Sequence, residues 1–467
     1  MRSWITVAAL AAGLGALFVA PGVALGPRTT GDAGTAAALR SALDGTKGHR
    51  GIAVAVVEHG RVSTAGVGDR GDGEPVTAAT PFQVGSIGKV LTGMLLADLA
   101  GDGVVRPDDT LRATLPGSTS DITLAELASH RSGLPRLVYR DPLQTVRLVT
   151  ANLHGRDPYA GQDARWITRA DQQPGEGRGT IRYSNFGAAL LGQALAGRTG
   201  VPYPELVHRR ILAPLGMDAT TYDVPAGHAA GSTAGGRTVE PWTGPGWAPA
   251  GVGLWSTVDD LARLLVAVQW DRAPGVDATV PRFAGDDGTR IGYGWFTTSY
   301  GGREVLWHNG GAGGFRAYAG LDRAQGRGVV VLANTDRAVD DVGLRLLGVT
   351  PPDRGPSLPS LVGAALGVAF SFLAGLTLIG TAKGSRTELA TAAVWAVASL
   401  ALGYRLGTWT TVPGWVWAAG VALTAGGLVV AARRWRDAPH RGGWRRWTAT
   451  AASVTAALLA VWLVAPV

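Results

Sequence analysis

The rhythm of hydrophobic positions changes twice along this chain and divides it into three stretches. No charged residue occurs between Arg2 and Arg28, and Ile5 to Leu25 is an almost unbroken apolar run behind one basic residue. Such a run is an export signal or a membrane anchor. It is long for a cleaved signal, and Ala24-Leu25-Gly26 before Pro27 is a poor cleavage site, so both readings stand. In the second stretch, Gly51–Glu58 and Arg61–Val67 are β-branched runs around a His59-Gly60 turn, which predicts two strands. Glu304–Trp307, Phe315–Leu321 and Gly328–Asn334 alternate or run apolar like strands, and Val339–Leu347 has helical spacing. Helical signals also mark Gly34–Leu43, Val90–Leu99, Phe186–Leu195 and Leu261–Val268. Strands at both ends with helices between them predict one sheet built from both termini and a helical insertion, an α+β arrangement.

After Pro351-Pro352 and Pro356 the pattern becomes four uncharged apolar runs: Leu361–Gly380, Leu389–Gly403, Trp415–Ala432 and Trp447–Val467. Each is expected to cross a bilayer as a helix, the second only just. The first connection carries Lys383 and Arg386, the second Arg405 alone, and the third Arg433, Arg434, Arg436, Arg441, Arg445 and Arg446. Positive loops stay in the cytoplasm, so everything before Leu361 is expected outside, in agreement with the N-terminal run. Trp409, Trp415, Trp417, Trp444 and Trp447 stand at run ends, where amphipathic rings settle at a membrane interface. None of the runs holds an ionisable residue, which favours an anchor or packing module over a transport path. The expected organisation is a signal or anchor at 1–29, an extracytoplasmic domain at 30–350, a linker at 351–360 and four transmembrane helices at 361–467 of a multi-pass cell-membrane protein.

Charge changes one part of this picture. The net charge is +8, yet from Pro356 onward nine Lys/Arg face two Asp/Glu, so the first 355 residues hold only +1. The basic character belongs to the tail, and a nucleic-acid partner is not expected. With no cysteine, disulfides and cysteine-ligated metals are excluded, and the compartment is undecided by that route. The membrane bilayer is the one macromolecular partner the pattern implies, and oligomeric state is left open.

Candidate chemistry begins at Gly85-Ser86-Ile87-Gly88-Lys89. Lys89 is one of three lysines in a chain with forty arginines. Arginine keeps its proton almost anywhere, whereas a buried lysine can lose it and act as a base. A proton acceptor one helical turn from a serine points to an activated nucleophile. The plainer alternative is a solvated helix start, and accident alone gives a Ser-x-x-Lys in roughly one such chain in eight. Two later motifs weigh against accident: Tyr183-Ser184-Asn185 and His308-Asn309-Gly310.

In that order the three motifs make the second stretch resemble the penicillin-recognising serine hydrolases, the broad family of class C β-lactamases, D-alanyl-D-alanine carboxypeptidases, D-aminopeptidases and related esterases. Supporting stretches are Ile122-Thr123-Leu124 leading to His130-Arg131-Ser132-Gly133-Leu134-Pro135, then Pro214-Leu215-Gly216-Met217 and Gly251-Val252-Gly253-Leu254-Trp255-Ser256-Thr257. The resemblance covers about 300 residues and stops before the tail. It implies a β-lactamase/transpeptidase-like fold and an acyl-enzyme at Ser86, with no cofactor and no metal. Lys89 is then the proton partner and Tyr183 a second proton-transfer group, its phenol pKa lowered by Lys89. Asn185, His308 and Gly310 hold substrate, and the backbone N–H groups of Ser86 and Gly311 form the oxyanion hole. Whether Lys89 or Tyr183 is the base stays open at this level. Asn185 also has a capping reading, and Ser132-Gly133 and Thr257 read simply as a turn and a helix cap.

Two departures bear on the substrate. Many relatives have lysine where this chain has His308, and a partly charged histidine grips a carboxylate more weakly. The run Glu176 to Arg182 is also longer than expected before Tyr183 and is expected to border the site. The expected substrate is a D-amino-acid peptide, a β-lactam or a small ester or amide. A penicillin-binding sensor whose helices transmit the event is the alternative.

Overall fold

The computed structural model describes residues 2–138, 142–170, 173, 175–285, 288–381, 384–440 and 443–464. Lys383, Arg441 and the end of the fourth apolar run lie outside these residues, as do the side chains of Arg445 and Arg446. Two units emerge. One comprises Ala24–Thr233 and Thr238–Pro352, the other Met1–Val23, Ala234–Arg237 and Asp353–Val467.

The first unit is built on an antiparallel sheet. Its early strands are β1 (Thr29–Gly31), β2 (Gly51–Glu58) and β3 (Arg61–Gly68). Two short strands, β4 (Phe82–Gln83) and β5 (Trp255–Ser256), pair separately. The late strands are β6 (Phe283–Ala284), β7 (Arg290–Ile291), β8 (Phe296–Tyr300), β9 (Arg303–Ala312), β10 (Phe315–Asp322) and β11 (Arg327–Ala333). The nine-stranded order is β1-β3-β2-β11-β10-β9-β8-β7-β6, so early and late strands meet where β2 pairs with β11. One sheet from both ends of the segment was the expected arrangement.

The helices that matter here are α1 (Ala33–Ala42), α2 (Gly88–Gly101), α3 (Asn185–Thr199), α4 (Val258–Gln269) and α5 (Asp340–Leu346). Strand alternation sends successive side chains to opposite faces. Ala53, Ala55 and Val57 of β2 therefore join a core with Leu91, Leu190 and Leu261 of α2, α3 and α4. Ile52 and Val54 point the other way, to Leu39 of α1 and Leu344 of α5. A strand buried on both faces has no polar positions to alternate with, which is why Gly51–Glu58 reads as a continuous apolar run. The α4 start agrees with the sequence, since Thr257 accepts from the Asp260 backbone N–H at 3.2 Å.

The second unit is helical. Leu358–Gly380, Arg386–Leu406 and Trp415–Arg434 are long and apolar enough to cross a membrane by length and composition. The fourth run lies in helix Trp444–Val464, whose described apolar part is Trp447–Trp462. Among the described residues, three of the four expected spans meet these criteria. Small residues make the packing: a Cβ on Gly420 would stand 2.3 Å from the Ser371 carbonyl oxygen, and one on Gly375 2.4 Å from Leu423. Trp409 and Trp417 do not sit as free interfacial rings. Their indole N–H groups donate to the carbonyls of Tyr404 and Leu400 at 2.9 and 3.0 Å, and Trp409 is buried. Trp415, Trp444 and Trp447 are exposed.

Candidate active site

Ser86 lies in the short turn Gly85–Ile87, which runs straight into α2, and Lys89 is the second residue of that helix. One turn of helix brings their side chains to the same side. The Lys89 amine lies 2.9 Å from Ser86 Oγ and donates to the Ala250 carbonyl at 2.7 Å. Only 2% of Lys89 is exposed. Burial, with help from the charge of Arg136, holds its pKa well below the usual lysine value. A neutral amine has a lone pair, and this one is within reach of the serine proton.

Tyr183 arrives from the segment before α3. Its phenol is near enough to Ser86 for that hydroxyl to lower its pKa, and the Lys89 amine lies 5.0 Å from the centre of its ring. The expected lowering of its pKa by Lys89 is not found. Burial pushes the phenol up to about 12, outweighing the Ser86 hydroxyl and the Arg136 charge. Tyr183 therefore stands as a proton donor beside Ser86 in the free protein.

Asn185 is the first residue of α3, and its backbone N–H donates to the Arg136 carbonyl at 3.1 Å. The cap is Ser184, whose Oγ accepts from the Gly187 N–H at 2.8 Å. The capping reading of Asn185 is thus off by one residue, because the side chain that precedes the helix is the one that can fold back onto its free N–H groups.

The His308-Asn309-Gly310 motif extends β9 past its expected end at Trp307. Alternation divides its work. Asn309 points to the sheet face covered by α5 and donates from Nδ2 to Asp340 of that helix at 2.6 Å, fixing the strand from behind. His308 points toward Tyr183, ring centres 6.3 Å apart. Gly310 has no room for a side chain, since a Cβ there would stand 1.9 Å from the Val84 carbonyl oxygen. Strand β8 pairs with β9 only as far as Phe296–Trp307. From His308 to Ala312 the edge turned away from β10 therefore has no strand partner among the described residues, and the nucleophile turn packs there. Gly85 takes φ +51, and a Cβ on it would meet the Gly311 backbone at 2.6 to 2.8 Å. Ser86 and the Gly311 peptide are neighbours for that reason.

His308 corrects another expectation. It is fully buried, its Nδ1–H donates to the Asn309 carbonyl at 2.6 Å, and burial lowers its pKa to about 3. It is a neutral ring and not a partial cation for a carboxylate, because desolvation penalises the charged form.

His130 has no counterpart among the site residues read from the sequence. Buried and at φ +57, it accepts from the Ser184 N–H at Nδ1 over 3.3 Å, and its ring centre is 4.5 Å from that of Tyr183. Its pKa lies well below the usual value, chiefly through burial and then through Lys89 and His308. A single histidine in a turn-like stretch carries no pattern of its own, so spacing alone does not reveal it. The loop Glu176–Arg182 is fastened to this segment: the Arg182 N–H donates to the His130 carbonyl at 2.7 Å, and Arg178 pairs with Asp121 and Glu126. A cavity of 580 Å³ lined by Arg147, Leu148, Asp157 and Trp166 contains none of the motif side chains.

The beta-lactamase family model matches residues 36–348. A beta-lactamase of Pseudomonas fluorescens is 24% identical over 61% of this chain and 88% of its own length. The D-alanyl-D-alanine-carboxypeptidase/endopeptidase AmpH of Escherichia coli (strain K12) is 24% identical over 65% of this chain and 86% of its own. Among solved structures, a class C beta-lactamase shares the fold with a TM-score of 0.56 at 21% identity, covering 66% of this chain and 92% of that one. The chain belongs to the beta-lactamase family and is a serine hydrolase.

Proposed function

We propose that the protein is a membrane-tethered extracytoplasmic hydrolase that works through an acyl-enzyme at Ser86. The observation that carries this reading is the buried Lys89 amine, its pKa held well below the usual lysine value, 2.9 Å from Ser86 Oγ. Lys89 accepts the serine proton as Oγ bonds to the substrate carbonyl carbon. With its phenol held up at about 12, Tyr183 suits the donor role, passing a proton to the leaving nitrogen or oxygen and recovering the serine proton that Lys89 holds. Water then adds to the acyl carbon and frees the serine. The N–H groups of Ser86 and Gly311 receive the oxyanion, and Asn185 with the β9 edge at Gly310 and His308 holds the acyl chain.

Likeness to a beta-lactamase and to a D-alanyl-D-alanine carboxypeptidase/endopeptidase supports β-lactams and D-amino-acid peptides as substrates, with small esters in reach of the same chemistry. The apolar helices after Pro356 and the apolar run before Arg28 support a multi-pass anchor with residues 30–350 outside the cytoplasm, the linker at 351–360 and four spans in 361–467. A fluorescent penicillin or fluorophosphonate tests the reading. It is expected to label the wild type and not Ser86→Ala, and equal labelling of the two overturns it.

A further inference from the structure

The candidate site has little fixed positive charge of its own. Lys89, His130 and His308 are all buried in surroundings that favour their neutral forms. Arg136 is different. Its guanidinium carbon lies 5.5 Å from the centre of the Tyr183 ring, and the residue is exposed. The backbone is fixed there, since the Arg136 carbonyl accepts from the Asn185 and Phe186 N–H groups at 3.1 and 3.3 Å. The start of α3 is consumed by these bonds and by the Ser184 cap, so it offers no anion site of its own.

Neighbouring arginines are already engaged. Arg178 is paired with Asp121 and Glu126, and Arg131 donates to the Gly179 carbonyl while stacking 3.9 Å over Phe283. Among the described residues no carboxylate forms an ion pair with Arg136. Its charge is nevertheless felt at both Lys89 and Tyr183. A permanently charged planar donor beside a nucleophile, without an ion-pair partner among the described residues, is suited to a carboxylate brought by the substrate.

We propose that Arg136 is the specificity-determining cation of this site and that the preferred substrates carry a carboxylate placed to meet its guanidinium beside Tyr183. The inference rests on the acyl-enzyme reading at Ser86. It moves anion recognition away from position 308, where the ring is neutral, to the loop before α3.

The test uses the full chain in detergent and two alkyl fluorophosphonates, one ending in a carboxylate and the other in its methyl ester. In both reactions Ser86 Oγ bonds to phosphorus, fluoride leaves and the serine proton passes to Lys89, so only the tail differs. The second-order labelling constants give an anionic-to-neutral ratio. The ratio is expected to fall about tenfold in Arg136→Gln, consistent with loss of one charge-assisted hydrogen bond in a solvated setting, and to be kept in part by Arg136→Lys. High salt lowers the wild-type ratio in the same direction. Arg61→Gln removes an exposed cation at the start of β3, away from the motif residues, and is expected to keep the wild-type ratio. A ratio equal in wild type and Arg136→Gln overturns the inference while Ser86 labelling stands. No labelling of the wild type by either probe overturns the acyl-enzyme reading, and the inference falls with it.

Discussion

In the unit that holds Ser86, the buried polar groups include Lys89, His49, His130 and His308, each in surroundings that lower its pKa. In the helical unit, the buried positions of Leu358–Gly380 and Trp415–Arg434 are mostly glycine, alanine, serine and threonine, with no ionisable side chain among them. Both units exclude water from their interiors, but desolvation has chemical consequences only in the first. There it lowers the pKa of a lysine beside a serine and raises that of the neighbouring tyrosine. In the second it permits close helix contact and nothing more. What distinguishes them is the kind of side chain buried, and that is set by a handful of residues.

The largest effect expected from breaking this contrast is at Lys89. Lys89→Met is expected to lower the acylation rate about 10²- to 10⁴-fold, the usual contribution of a positioned base. Lys89→Arg should be as poor, because a guanidinium does not give up its proton. Stopped-flow acylation with a chromogenic ester measures both, and an active Lys89→Arg would contradict the neutral-amine account. Tyr183→Phe is expected to cost about 10²-fold through loss of the donor to the leaving group, with the deficit smaller for esters whose leaving group needs no proton. An equal deficit on activated and unactivated esters would assign Tyr183 to packing instead.

The wild-type pH profile sharpens the same point. Only neutral Lys89 accepts the serine proton, so acylation should rise with pH through the lowered lysine pKa and level off well below 10.5.

Acid stability gives the next effect in size. His49 is lowered to about 4 and His308 to about 3, against 6.5 for each when unfolded. The unfolded chain therefore binds protons that the native state does not as pH falls from about 6.5 toward those values. Stability present above 6.5 is lost on the way down, by up to about 1.4 kcal/mol per pH unit for each such histidine. Urea midpoints of the full chain in detergent, taken from pH 7 to pH 4.5, should fall, and His49→Gln should flatten the slope. The smallest effect on chemistry is expected from the helical unit. Gly420→Leu should destabilise helix packing by about 1–3 kcal/mol, seen as a lower aggregation temperature, while Ser86 labelling stays near the wild-type rate. A parallel loss of labelling would instead favour coupling between helices and site, as a sensor requires.

Much of the fold could be read from the chain because the central strands are buried on both faces and leave nearly continuous apolar runs. Gly51–Glu58 is a strand over the very residues expected. The edge strands β6 and β7 are two residues each, too short to show a period. Strand β9 was legible only to Trp307, since beyond it the glycines that allow contact with the nucleophile turn also look like a loop. Ser86, Lys89 and Tyr183 were readable as a set because lysine is so scarce and the motifs fall in order, and the structure brings these three together. The charge state of His308 and the presence of His130 beside Tyr183 were not readable, because both depend on burial supplied by residues distant in sequence. Arg136 was hidden for the opposite reason: one exposed arginine among forty carries no signal until the fold places it over Tyr183.

The central claim is a covalent bond at Ser86, and the most direct measurement is intact mass followed by peptide mapping after exposure to a β-lactam, a D-Ala-D-Ala peptide and a short ester. The account predicts a mass increase equal to the acyl group, located on the peptide containing Ser86, absent in Ser86→Ala and slow to form in Lys89→Met. An adduct mapped to another residue, or substrate turnover that persists in Ser86→Ala, would contradict it.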